Sequence, residues 1–144
     1  MNASILVVED EPAIQELIRV NLEDAGFSVR AAEDAETAYE QIRAALPDLV
    51  LLDWMLPGQS GLALARSLRG DARTRELPII MLSGKDGLFD KMRGKLAGST
   101  EYMTKPFDSA ELVQMVKRYL DAPAVRERAA RRTHHQQERL RRHV

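Results

Sequence analysis

Short apolar runs, each closing on a chemically useful polar residue, set the rhythm of this chain. Residues 5–8 (ILVV) run into Glu9, Asp10 and Glu11, and residues 49–52 (LVLL) run into Asp53. Residues 79–82 (IIML) run into Ser83, and residues 102–104 (YMT) run into Lys105, Pro106 and Phe107. Continuous runs of this length predict strands covered on both faces, the habit of a parallel sheet. Strands are expected at 4–8, 27–32, 49–53, after Pro78, and 101–104.

Between the strands the apolar period becomes helical. Ile14, Leu17, Ile18 and Leu22 follow Pro12, which suits a first helical turn, and Gly26 marks the stop. Asp34 caps a second helix reaching about residue 46, ahead of Pro47. A loop punctuated by Pro57, Gly58 and Gly61 precedes a third over 62–68. Leu88, Phe89, Met92 and Leu96 lie on a fourth, the least stable, because interior glycines such as Gly94 cost ~1 kcal/mol relative to alanine. Asp108 and Glu111 have capping-box spacing ahead of a fifth helix carrying Leu112, Val113, Val116 and Leu120.

Five strand–helix repeats imply an α/β fold, a parallel sheet with helices on both faces. Ligands of open parallel sheets bind outside the carboxyl ends of the strands, near the switch in strand order. Acids, a hydroxyl and a lysine therefore gather at one edge of the sheet, a site suited to a hard cation and a phosphoryl group.

At 144 residues the chain is long enough for one domain with a real core. It has no cysteine, which excludes disulfides and thiolate metal sites. The N-terminus enters a strand directly, and no apolar stretch is long enough to span a bilayer, so a cytoplasmic location and no membrane partner are expected. The net charge of −1 hides an asymmetry. Residues 1–120 hold 14 lysines and arginines against 19 acids, while residues 121–144 hold seven arginines, three acids and all three histidines. The expected organisation is a domain over 1–121 and a basic tail over 122–144, helical or disordered.

The segments ILVVEDEPAIQELI, PDLVLLDWMLPGQSG, PIIMLSG and YMTKPF stand in the order and spacing of the receiver domain of bacterial two-component response regulators, which residues 4–121 resemble. The first two are close to the OmpR/PhoB subfamily. The stretch LSGKDGLFDKMRGKLAGSTEYMTKPF is more similar to stand-alone receivers of twitching-motility systems, so the affinities are mixed.

The resemblance implies a flavodoxin-like (βα)5 doubly wound sheet of strand order 2-1-3-4-5. It implies that Asp53 accepts the phosphoryl group and that Glu9, Asp10, Asp53 and the backbone carbonyl of Met55 hold Mg²⁺, an ion that prefers oxygen ligands. Lys105 and Ser83 would each meet a phosphoryl oxygen, and Lys105-Pro106 would be a cis peptide. Glu11 either tunes the cation site or is a solvated first-turn acid, and Trp54 is either a lid or a partly exposed aromatic beside the site. Ser83 and Tyr102 would form the switch, although Tyr102 also fits as an ordinary half-buried strand residue.

Output would pass through the surface of the fourth helix, fifth strand and fifth helix, through which relatives dimerise by charge pairs. Lys91 and Glu111 match one pair and Glu101 keeps an acid. Ala97, Met115 and Ala122 stand where charged residues are usual, which implies a weakened homodimer. The phosphoryl donor would be a sensor histidine kinase or a phosphotransfer protein.

OmpR/PhoB regulators continue into a DNA-binding domain, and nothing of that size follows Pro123, so nucleic-acid binding is not expected. Two alternatives stay open. One is a DNA-binding regulator acting through the basic tail, where His134, His135 and His143 also lie. The other is a Mg²⁺-dependent aspartyl-phosphate phosphatase of the haloacid-dehalogenase type. Those enzymes place a second Asp two residues after the nucleophile, where this chain has Met55, which cannot transfer a proton. The expectation is thus no enzyme beyond self-phosphorylation from small donors and slow autodephosphorylation.

Overall fold

In the computed structural model, which describes residues 2–84 and 98–120, five parallel strands form one sheet in the order 2-1-3-4-5. They are β1 (Ser4–Val8), β2 (Ser28–Ala32), β3 (Leu49–Asp53), β4 (Ile79–Ser83) and β5 (Glu101–Thr104). The described helices are α1 (Pro12–Asp24), α2 (Ala35–Ala44), α3 (Gly61–Gly70) and α4 (Ser109–Leu120). This is the expected flavodoxin-like doubly wound sheet. The helix read over 88–96, with Lys91 and Ala97, and the tail from residue 121 onward lie outside the described residues.

The central strands are buried on both sides because their side chains alternate between two apolar layers. Leu6, Val8, Val50, Leu52, Ile79 and Met81 face α2 and α3, meeting Ala38, Ile42, Leu64 and Leu68. Ile5, Val7, Leu49, Leu51, Ile80 and Leu82 face α1 and α4, meeting Ile18, Leu22, Leu112 and Val116. Each fully buried Leu or Ile contributes roughly 1.5–3 kcal/mol, so the strand framework is rigid up to the ends where the polar residues sit.

Short polar side chains start three of the four described helices, while α1 opens on Pro12 with no side-chain cap. Asp34 accepts the Thr37 N–H at 2.7 Å, Ser60 Oγ accepts the Ala63 N–H at 3.2 Å, and Asp108 accepts the Ala110 N–H at 2.7 Å. Caps of this kind are each worth about 1 kcal/mol. Gly26, at φ +98°, ends the turn after α1 in a conformation that suits glycine. Two boundaries differ from the sequence expectation. α3 starts at Gly61 rather than Leu62, because Ser60 caps it, and runs on to Gly70. α2 stops at Ala44, with Ala45 already extended two residues ahead of Pro47.

Arg69, near the end of α3, ties the amino-terminal edge of the sheet together. Its guanidinium donates to the carbonyls of Gly98 (2.6 Å), Arg75 (2.9 Å) and Leu77 (2.6 Å), and to Thr100 Oγ1 (3.2 Å). Thr100 Oγ1 in turn accepts the Ile79 N–H at 3.0 Å, which fixes the entries to β4 and β5 relative to each other.

Candidate functional site

The strand order reverses between β1 and β3: from β1 the chain builds outward to β2, then returns across it to β3. Their registers align Val8 with Leu52, so the next residues, Glu9 and Asp53, emerge side by side at the crevice. On the far side Asp53 is level with Leu82, and Ser83 with Thr104, which brings Ser83 and Lys105 to the same edge. Backbone bonds prolong the ladder past the strand ends: Glu9 N–H to Ala32 O at 3.0 Å, Trp54 N–H to Leu82 O at 2.8 Å and Lys105 N–H to Ser83 O at 2.6 Å.

Carboxylate oxygens of Glu9, Asp10 and Asp53 lie within 4.8 Å of one another. Glu9 is fully buried and Asp53 is 4% exposed, whereas Asp10 faces solvent. Lys105 reaches into this group, with Nζ 2.8 Å from Glu9 Oε2 and 3.4 Å from Asp53 Oδ1. The Lys105-Pro106 peptide is cis. The Met55 N–H donates to Asp53 Oδ1 at 3.3 Å, and the Glu11 N–H points to Glu9 Oε1 at 3.4 Å.

One ammonium cannot neutralise two buried carboxylates. Desolvation holds the Asp53 carboxyl above its ordinary pKa, against the opposing charge of Lys105. Desolvation likewise raises Glu9, opposed by its hydrogen bond from Lys105 and reinforced by the charge of Asp53. For Lys105, desolvation works against the charged form, but bonding to Glu9 and the charge of Asp53 outweigh it and the pKa rises. The crevice therefore carries unbalanced negative charge on oxygen donors, with the exposed Asp10 and Met55 opening it to water. That donor set fits a hard divalent cation that keeps some of its waters.

Close backbone packing sets where Asp53 ends. The Gly61 N–H donates to Trp54 O at 3.0 Å, and a Cβ on Gly61 would lie 2.0 Å from the Asp53 carbonyl oxygen. No side chain fits there. Trp54 is buried at 9% exposure in the layer formed with α2 and α3, so it is not a partly exposed aromatic beside the site. Ser83 is buried at the end of β4, and Tyr102, half-buried, packs against the same layer as Trp54. Met55 is 66% exposed.

On the neighbouring face, Glu101 accepts a hydrogen bond from the Tyr119 hydroxyl at 3.0 Å, and Glu111 is exposed near the start of α4. Sequence reasoning missed Tyr119, and it missed Gln15, whose side-chain amide donates to Glu9 O at 3.0 Å. It also missed Asp48, buried before β3 and accepting the Ser4 N–H at 2.7 Å.

A family profile described as "Response regulator receiver domain" matches residues 5–117. The phosphate regulon transcriptional regulatory protein PhoB of Pseudomonas aeruginosa is 47% identical over 117 residues, covering 81% of this chain and 51% of that protein. The Escherichia coli protein of the same name is 44% identical with the same coverage. The chain thus spans about half the length of the curated relatives it matches. Among solved structures, a response regulator of Chloroflexus aurantiacus superposes with a TM-score of 0.81 at 36% identity, covering 84% of this chain and 99% of that one. The BeF3-activated N-terminal receiver domain of Klebsiella pneumoniae RstA superposes with a TM-score of 0.76 at 33% identity, covering 81% and 97%.

Proposed function

The chain belongs to the response regulator receiver domain family, and from that membership we propose that Asp53 is the residue that takes the phosphoryl group. The observation that carries this is the convergence of three strand ends: Lys105 Nζ sits 2.8 Å from Glu9 and 3.4 Å from Asp53, within one buried acidic crevice. Phosphoryl transfer needs positioning and charge neutralisation more than covalent help from the protein. A carboxylate supplied with both can serve as the nucleophile.

In the proposed step an Asp53 carboxylate oxygen attacks phosphorus. The bond from phosphorus to the donor breaks, and the donor leaves with the electron pair and takes up a proton. Lys105, already beside Asp53, stays protonated and meets the incoming charge as a compact cation. Ser83 supplies its hydroxyl from the next strand end. Glu9, Asp10, Asp53 and the Met55 carbonyl would hold Mg²⁺, which supplies neutralisation of the phosphoryl oxygens when bound. Met55, at the place where a hydrolase would keep a general acid, cannot transfer a proton, and this limits the chain to slow loss of its own phosphate.

The donor is a sensor histidine kinase or phosphotransfer protein, in the cytoplasm. Among the described residues no helix is long and apolar enough to cross a membrane. Phosphate reaches the surface by population shift, with Ser83 and Tyr102 making different contacts in the two states. The output face includes Glu101 and Glu111, and a second copy of the chain pairs with it weakly. The name of the PhoB relatives makes them transcriptional regulators; operator binding is not extended to this chain.

The test is intact mass after incubation with acetyl phosphate or phosphoramidate, with and without Mg²⁺, beside Asp53→Asn. A Mg²⁺-dependent gain of one phosphoryl group, absent in the variant, is expected. Equal labelling of the variant overturns the assignment. Sustained release of phosphate from small phosphomonoesters overturns the non-enzymatic reading.

A further inference from the structure

Asp10 is the exposed member of the acidic group, so its place depends on the backbone that carries it. That backbone is residues 9–11, the link between the end of β1 and the start of α1. Four residues into α1 lies Gln15, half-buried and on the same helix face as the buried Ile18 and Leu22, three and seven positions ahead of them. Its backbone N–H donates to Glu11 O at 2.9 Å, the first hydrogen bond of the helix. Its side-chain Nε2 donates to Glu9 O at 3.0 Å, and the Ala32 carbonyl lies 3.5 Å from the same nitrogen. One residue therefore holds both ends of the acidic triplet, through main chain at one end and side chain at the other.

We propose that Gln15 is a positioning residue for the cation site, fixing the backbone of residues 9–11 so that Glu9 and Asp10 present their carboxylates together with Asp53. The inference rests on the site assigned above, and it concerns a residue that touches neither the phosphoryl group nor the cation. The Ala32 carbonyl also accepts the Glu9 N–H at 3.0 Å, so the contact extends the β1–β2 ladder by one rung at the site. A carbonyl deprived of its donor there turns toward water, and the link it belongs to gains freedom that cation binding must then remove. The loss falls on affinity, because a saturating cation restores the same arrangement. Asp53 stands on β3 and keeps its place, and Lys105 keeps its contact with it at 3.4 Å.

The test is Gln15→Met, which removes the donor while keeping length and helix propensity. Trp54 is the single tryptophan and directly follows Asp53, so its fluorescence follows Mg²⁺ titration without any phosphoryl donor. The midpoint is expected to rise by about 3- to 10-fold, the range one net hydrogen bond supports. The rate of phosphorylation at saturating Mg²⁺ should stay within about twofold of native, and the melting temperature close to native. A midpoint equal to native overturns the proposal, as does a lowered melting temperature with an unmoved midpoint, the mark of a merely structural contact. If the native protein itself neither binds Mg²⁺ nor accepts phosphate, the site assignment fails and the role of Gln15 falls with it. Native binding with an unmoved variant sinks the Gln15 role alone.

Discussion

Lys105 Nζ lies 2.8 Å from Glu9 Oε2, joining residues ninety-six positions apart in sequence. The pair crosses the crevice over which the chain reverses its strand order, with Asp53 as the third member at 3.4 Å. Without a bound cation, Lys105 is the positive charge that lets two buried acids share the space. It does so incompletely, because the acids outnumber it.

That imbalance predicts an unusual stability profile. Glu9 and Asp53 both sit above their ordinary values of 4.5 and 3.8, so the folded chain holds their protons more tightly than the unfolded chain does. Their contribution is fully present below about pH 4 and is lost as pH rises through the raised folded values, the reverse of a salt-bridged carboxylate. In EDTA at neutral pH, Asp53→Asn should raise stability by about 1 kcal/mol, since it removes the desolvation cost of a buried carboxylate, which outweighs the opposing charge of Lys105, and keeps the volume. The gain should shrink toward about pH 4. Urea denaturation across that range checks it; a variant less stable than native at neutral pH contradicts it.

Gly61 gives a steric prediction. A Cβ there would meet the Asp53 carbonyl at 2.0 Å and Trp54 Cα at 3.2 Å, both backbone atoms that cannot swing aside. Gly61→Ala should cost about 2–3 kcal/mol and displace Asp53, so that phosphorylation at saturating Mg²⁺ falls at least about tenfold. Denaturation and intact-mass kinetics on the same sample check both effects. A variant of native stability would show that the loop after β3 shifts freely.

Much of this was legible in the sequence because strand ends announce themselves. An apolar run buried on both faces stops where the chain leaves the sheet, so Glu9, Asp53, Ser83 and Lys105 were marked by position alone. Gln15, Arg69 and Tyr119 were not, because each acts by reaching a carbonyl or carboxylate outside its own helix. Nothing in the local pattern separates such a residue from a solvated helical one. Trp54 shows the opposite failure: its place beside Asp53 also suggested a half-exposed ring, whereas the chain after β3 carries it into the layer under α2 and α3.

Arg69 tests the value of one such hidden link. Arg69→Leu leaves the carbonyls of Gly98, Arg75 and Leu77 without their donor, and should cost about 2–3 kcal/mol. Thermal or urea denaturation reads this directly; a change under about 0.5 kcal/mol would mean that water replaces the guanidinium.

Association should stay weak. Glu101 is engaged by the Tyr119 hydroxyl at 3.0 Å, and Met115 on α4 offers no charge for an ion pair. Sedimentation velocity of the phosphorylated protein should show mainly monomer. A tight symmetric dimer appearing on phosphorylation would contradict this.

The assignment of Asp53 is tested most directly by mapping the acyl phosphate. Borohydride reduces an aspartyl phosphate to homoserine, and peptide mass spectrometry then reads which acid carried it. The account predicts homoserine at position 53, formed only when both donor and Mg²⁺ are present. Homoserine at position 10, a reduced residue at position 9, or phosphate retained on Ser83 after reduction would contradict it.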